Sequence, residues 1–158
     1  MLPFLFHPIH IIMNPNRPIN EVMTSKLVTV GPLASAYHIK AIFDQNEFHH
    51  LPVVEANDKL LGIISKQDFY KVAYVLSLQT TGRTWSEKEY EVLCAKDLMT
   101  EHPLTLEPDD TIGLAADIFL ANQFHAIPVV EDDRLIGLVT THDLLLYSFN
   151  SPIVEEWQ

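Results

Sequence analysis

Two hydroxyl–carboxylate pairs stand out among the residues able to do chemistry: Ser65 with Asp68, and Thr140 with Asp143, each separated by two residues. Read for local structure alone, Asp68 and Asp143 are helix N-caps, with Ser65 and Thr140 as turn residues. Three histidines, His49, His50 and His125, raise the question of a metal. An adjacent pair with a third histidine 75 residues on, and a single cysteine (Cys94), is not a closed zinc pattern. Strand-end histidines are the expectation, and no metal. Nor is a catalytic centre expected. There is no nucleophile elbow and no glycine-rich phosphate loop, and the chain has five glycines in all. Asp68 and Asp143 are moreover far apart in sequence, not gathered around one scissile bond.

The elements that position these residues come in duplicate. At an offset of 76, Met23-Thr24 falls on Met99-Thr100, Thr29 on Thr105, Pro32 on Pro108, Ile42-Phe43 on Ile118-Phe119, and Phe48-His49 on Phe124-His125. Pro52-Val53-Val54-Glu55 then meets Pro128-Val129-Val130-Glu131. One residue is missing from the second copy's next turn, and beyond it Asp58, Leu60, Gly62 and Asp68 match Asp133, Leu135, Gly137 and Asp143 at an offset of 75.

Each copy predicts the same order. A short strand (27–30; 104–106) precedes a helix whose apolar residues recur at helical spacing: Ala36, Ile39 and Phe43 after Ser35, and Ile112, Ala115, Ala116 and Phe119 after Thr111. Two strands around a polar turn and a closing helix follow. The expectation is a mixed α+β fold of two β-α-β-β-α repeats. At about 55 residues neither repeat buries enough surface to be comfortable alone, so the two should pack together.

The chain of 158 residues is 47% hydrophobic, enough for a core, and carries a net charge of −11. So acidic a surface disfavours nucleic acid and anionic membranes as partners. With one cysteine nothing requires an oxidising compartment, and a cytoplasmic location is expected. The division expected is an N-terminal extension (1–18), a first repeat (19–78), a helical connector (79–96), a second repeat (97–150) and a tail (151–158). Apolar residues 1–12 are too short to span a bilayer and read as an upstream extension. Ser86-Glu87-Lys88-Glu89 predicts a capped helix in the connector, and Trp85 and Tyr90 read as connector packing.

With its Met-Thr opening, Pro-Val-Val strand and Gly-x-x-Ser/Thr-x-x-Asp ending in both copies, the sequence resembles a tandem pair of cystathionine β-synthase (CBS) domains, the Bateman module, over about residues 19–149. The resemblance implies two repeats about a pseudo-twofold axis, and clefts that in many members bind AMP, ADP, ATP or S-adenosylmethionine. It leaves no room in the chain for a fused catalytic or transport domain. By resemblance Asp68 and Asp143 would hold ribose hydroxyls, with Ser65 and Thr140 reaching ribose or phosphate. Ile63 and Leu138 would contact adenine, Thr29 and Thr105 would put hydroxyls near the ligand, and His49 and His125 would face phosphate.

This sequence departs from the family where arginine often follows that histidine, having His50 and Ala126 instead. Lys66 is one candidate cation in their place, and tight ATP binding is not expected. AMP, adenosine or a cationic adenosyl ligand fits better. Gly31-Pro32-Leu33-Ala34-Ser35, standing where the second copy has Glu107-Pro108-Asp109-Asp110-Thr111, makes the first cleft the weaker one and the Thr140–Asp143 cleft the preferred site. The function expected is a non-catalytic adenosyl-ligand sensor with no required cofactor, forming a homodimer and acting on a regulated protein that the sequence does not identify. The alternative is a ligand-free protein-interaction module.

Overall fold

The computed structural model describes residues 14–79, 92–122 and 124–150. The expectations placed on residues 1–12, on the capped connector helix with Trp85 and Tyr90, and on the tail lie outside the described residues.

In the first repeat, α1 (Ala36–Gln45) leads to β1 (His50–Glu55), β2 (Lys59–Ser65) and α2 (Lys66–Gln79). A helical turn, α3 (Ala95–Leu98), and a short strand, β3 (Thr100–Glu101), open the return path. The second repeat follows with α4 (Ile112–Ala121), β4 (Ala126–Glu131), β5 (Arg134–Thr140) and α5 (Thr141–Asn150).

Local chemistry sets the helix ends in matching ways. The Ser35 hydroxyl accepts from the His38 N–H at 3.2 Å and the Thr111 hydroxyl from the Leu114 N–H at 3.1 Å, satisfying donors that a first turn leaves free. At the far ends the Asn46 and Asn122 amides donate to the carbonyls of Ile42 and Ile118, at 2.8 and 2.7 Å. The expected stripes face inward, with Ala36, Ile39 and Phe43 buried on α1 and Ile112, Ala115 and Phe119 on α4.

The hairpins differ by the residue that breaks the repeat. In the second, Asp132 and Asp133 form a two-residue connection with φ of 48° and 63°. Aspartate tolerates that left-handed backbone in tight hairpin turns. The first uses a three-residue 3-10 turn, Ala56–Asp58, with Asn57 and Asp58 left-handed at 63° and 60°.

The leading strand expected of each copy shrinks to one residue. Val30 bridges Val53 and Leu106 bridges Val129, both in parallel. In each segment only that residue is buried, while Val28, Thr29, Leu104 and Thr105 are exposed and make no strand pairing among the described residues. The closing helices begin at Lys66 and Thr141, two residues before the aspartates expected to open them.

The sheet runs β1-β2-β5-β4, with β3 added on β2. β2 and β5 meet through the pair Lys59–Arg134, which are equivalent positions of the two repeats. A pairing of equivalent residues is what a pseudo-twofold axis produces at the point where it crosses the sheet.

The packing unit is not the sequence repeat. Ile19, ahead of the first repeat's helices and strands, is fully buried in the second repeat's core with Leu106, Ile127, Val129 and Val139. Ala95 is likewise buried in the first repeat's core with Val30, Leu51, Val53 and Ile64. The backbone exchange is reciprocal: Ile19 N–H donates to Asp110 and Ala95 N–H to Ala34, both at 2.8 Å. Residues 15–18 belong to the same exchange, since the Arg17 and Pro15 carbonyls accept from Ile112 and Gly113 at 2.9 and 2.8 Å. Each half thus borrows its opening segment from the other, and in that way two small repeats reach a sufficient core.

Candidate functional site

Each hairpin ends at a corner where strand turns into closing helix. At the second corner Thr140 is the N-cap of α5 and Asp143 the third helical residue, and the two cap each other. The Asp143 N–H donates to the Thr140 hydroxyl at 3.2 Å, the Thr140 N–H donates to Asp143 Oδ2 at 2.8 Å, and the hydroxyl itself donates to Oδ2 at 2.7 Å. This is a complete capping box. The roles read from sequence are exchanged: the hydroxyl residue is the cap and the aspartate returns the bond. The first corner carries the shorter form, with the Asp68 N–H donating to the Ser65 hydroxyl at 3.0 Å and that hydroxyl donating to Asp68 at 2.8 Å. The bond from Ser65 and the nearby Lys71 ammonium hold the Asp68 carboxyl below the usual range.

The other expected residues gather along the same strands. His50 pairs with Ser65, and Ala126 with Thr140. The His49 carbonyl accepts from the Lys66 N–H at 2.7 Å and the His125 carbonyl from the Thr141 N–H at 3.1 Å, so each histidine sits beside the first residue of a closing helix. Burial pushes His50 down to about 4, with His49 and His125 adding like-charge repulsion and Asp68 opposing them. His125 of the other repeat is therefore within electrostatic reach of His50. Among the described residues no group of histidine, cysteine or carboxylate side chains is arranged to hold a metal ion.

Of the expected residues, Lys66 is engaged elsewhere. The Lys66 ammonium donates to the Phe43 carbonyl at 2.6 Å and lies 3.4 Å from the Asn46 carbonyl, a cation at the C-terminal end of α1. Thr105 and Thr29 precede the residues that bridge β4 and β1, on the outer side of each hairpin. Ile63 is half-buried and Leu138 buried.

The structure also adds residues that sequence reasoning passed over. Thr24 and Leu138 donate to each other's carbonyls at 2.9 Å, and the Thr24 hydroxyl lies 3.4 Å from Asp143 Oδ1. Thr100 takes the equivalent place against Ile63. Met23 and Met99 pack over Gly137 and Gly62, where a Cβ would collide with the thioether. The signal was present: the Met-Thr pair recurs in both copies, as does the glycine three residues before the hydroxyl. Its meaning was hidden because each Met-Thr serves the other repeat.

The fold and these corners define a tandem-repeat module in which both hydroxyl–carboxylate turns are completed by a strand exchanged from the partner repeat. The chain belongs to the CBS domain family, which it matches over residues 19–74 and again over 95–150. It is similar to the structure of CBSX2 in complex with AMP, at 26% identity and a TM-score of 0.70, covering 84% of this chain and 96% of that one; CBSX2 is also known as a CBS-pair protein of Arabidopsis thaliana. MJ1225 of Methanocaldococcus jannaschii gives 26% identity and a TM-score of 0.72, covering 85% of this chain and 49% of that one. Among curated relatives, homoserine O-acetyltransferase of Methanohalobium evestigatum is 25% identical over 88% of this chain but only 24% of its own length. The chain thus spans about a quarter of that enzyme. No helix among the described residues is long and apolar enough to cross a membrane.

Proposed function

We propose that this chain is a non-catalytic regulatory module that binds an adenosine-containing ligand at the Thr140–Asp143 corner. The observation that carries this reading is the construction of that corner from both repeats. Thr24 is hydrogen-bonded to Leu138, and its hydroxyl faces the carboxylate that would receive ribose. Asp143 Oδ2 is committed to the cap, and Oδ1, facing Thr24, is the oxygen left to accept from a ribose hydroxyl. A ligand bound there touches both repeats, and it shifts their arrangement by the difference in its affinity for the two states. Similarity to the AMP complex of CBSX2 supports the ligand class.

The test is isothermal titration of the full chain with adenosine, AMP, ATP and S-adenosylmethionine. One or more should bind, and Asp143→Asn, which keeps a capping oxygen, should bind at least tenfold more weakly with its melting temperature nearly unchanged. Equal affinity in the variant would refute the ribose assignment.

A second reading, in which the module also pairs with another copy of itself, is favoured by the outer face of α5. Leu145, Leu146 and Phe149 are 56%, 48% and 78% exposed there, on one apolar stripe. Phe149→Glu should then convert a dimer to a monomer by light scattering. A parent already monomeric at high concentration would exclude it.

A further inference from the structure

The two corners are built alike but filled differently. In an antiparallel pair, residues directly opposite share a face of the sheet, with Cβ atoms about 5 Å apart. His50 stands opposite Ser65, and Ala126 stands opposite Thr140. The Ser65 and Thr140 hydroxyls each turn to their own aspartate. An imidazole therefore lies beside the first corner where the second has a methyl group. That ring is half-buried, and burial favours its neutral form. Asp68 and, from the other repeat, His125 are both within its electrostatic reach, so it lies between the Asp68 corner and the facing repeat.

The carboxylates differ in the same sense. Asp143 is half-buried, with Oδ2 committed to the cap and Oδ1 towards the Thr24 hydroxyl. Asp68 is exposed and both its oxygens are engaged. Its Oδ2 accepts from the Ser65 hydroxyl at 2.8 Å, and Oδ1 accepts from the Lys71 ammonium at 3.2 Å. In the second repeat the place of Lys71 is taken by Leu146, which has no charge to offer Asp143.

We infer that the chain takes one equivalent of its adenosine ligand, at the Asp143 corner, with the Asp68 corner closed by the His50 ring and by Lys71. This rests on the reading proposed above. A ribose diol donates to a carboxylate, and at Asp68 it would have to displace both groups. The ammonium is the smaller obstacle, because an exposed ion pair is weak and screened by salt. The ring is the larger one, since a packed side chain does not share its volume with a second group. His50 and Lys71 are thus the residues that make two corners of one pattern unequal.

Equilibrium dialysis of the full chain against labelled adenosine, AMP, ATP and S-adenosylmethionine, each run separately, tests this. The parent should saturate at one molecule per chain. The double variant His50→Ala, Lys71→Leu, which gives the first corner the residues of the second, should saturate at two. Amide resonances of the parent add a readout that needs no variant: on saturation, shifts should gather over Leu138–Asp143 and stay small over Ile63–Asp68. Two equivalents in the parent, shifts as large over Ile63–Asp68 as over Leu138–Asp143, or a folded double variant that still takes one equivalent overturns the inference and leaves adenosyl binding standing. A parent that takes up none of the four compounds overturns both.

Discussion

Thr24 and Leu138, from opposite ends of the chain, exchange two backbone hydrogen bonds of 2.9 Å. Thr100 stands in the same relation to Ile63. The two repeats are therefore interlocked: each supplies the strand that closes the other's hydroxyl–carboxylate corner and a residue of the other's core.

The exchange is tested most directly by Ile19→Ala. Ile19 is fully buried in the second repeat's core, and truncating a buried isoleucine costs about 2–5 kcal/mol. Amide hydrogen exchange should accelerate first at Val129 and Val139, ahead of Val53 and Ile64. The reverse order would contradict the exchanged packing.

The two strand glycines should respond differently to the same added methyl group. A Cβ on Gly62 would lie 2.7 Å from the Thr100 carbonyl oxygen as well as against Met99, whereas on Gly137 its three nearest atoms all belong to the Met23 side chain. A thioether can change rotamer and a backbone carbonyl cannot. Gly62→Ala should lose about 1–3 kcal/mol in urea unfolding and Gly137→Ala less.

The capping box at α5 sets a third expectation. Thr140→Ala removes the acceptor of the Asp143 N–H and should cost about 1 kcal/mol, which Thr140→Ser should restore. Denaturant midpoints measured without ligand separate this effect from binding.

Stability should fall in mild acid because of His50. Burial, reinforced by His49 and His125, lowers this imidazole from 6.5 to about 4. The folded chain keeps it neutral while the unfolded chain takes up the proton near 6.5. Its contribution is thus present above pH 6.5 and is lost as the pH falls toward 4, by about 3 kcal/mol in all. His50→Gln should flatten that part of the stability–pH curve. An unchanged slope would mean that His50 is protonated in the folded state.

Much of the fold is legible in the residues one by one. The stripes Ala36-Ile39-Phe43 and Ile112-Ala115-Phe119, and the Pro-Val-Val strands, reach their expected places because periodicity and cap chemistry act over a few residues. Ser65 with Asp68 and Thr140 with Asp143 were likewise visible as pairs, although which member caps depends on where the strand stops. Lys66 shows where such reading fails: its charge suggested phosphate, but only the packed structure brings the α1 carbonyls to its ammonium.

The sequence by itself determined that there are two copies of one unit, what that unit contains and which residues form its corners, since those follow from local spacing repeated at a fixed offset. The tertiary structure alone decided to which copy each opening segment belongs. Met23-Thr24 and Met99-Thr100 are interchangeable in pattern, and either could in principle close either hairpin. The choice is made by the burial of Ile19 and Ala95 in opposite cores and by strand pairing between residues far apart in the chain, interactions that no local periodicity encodes.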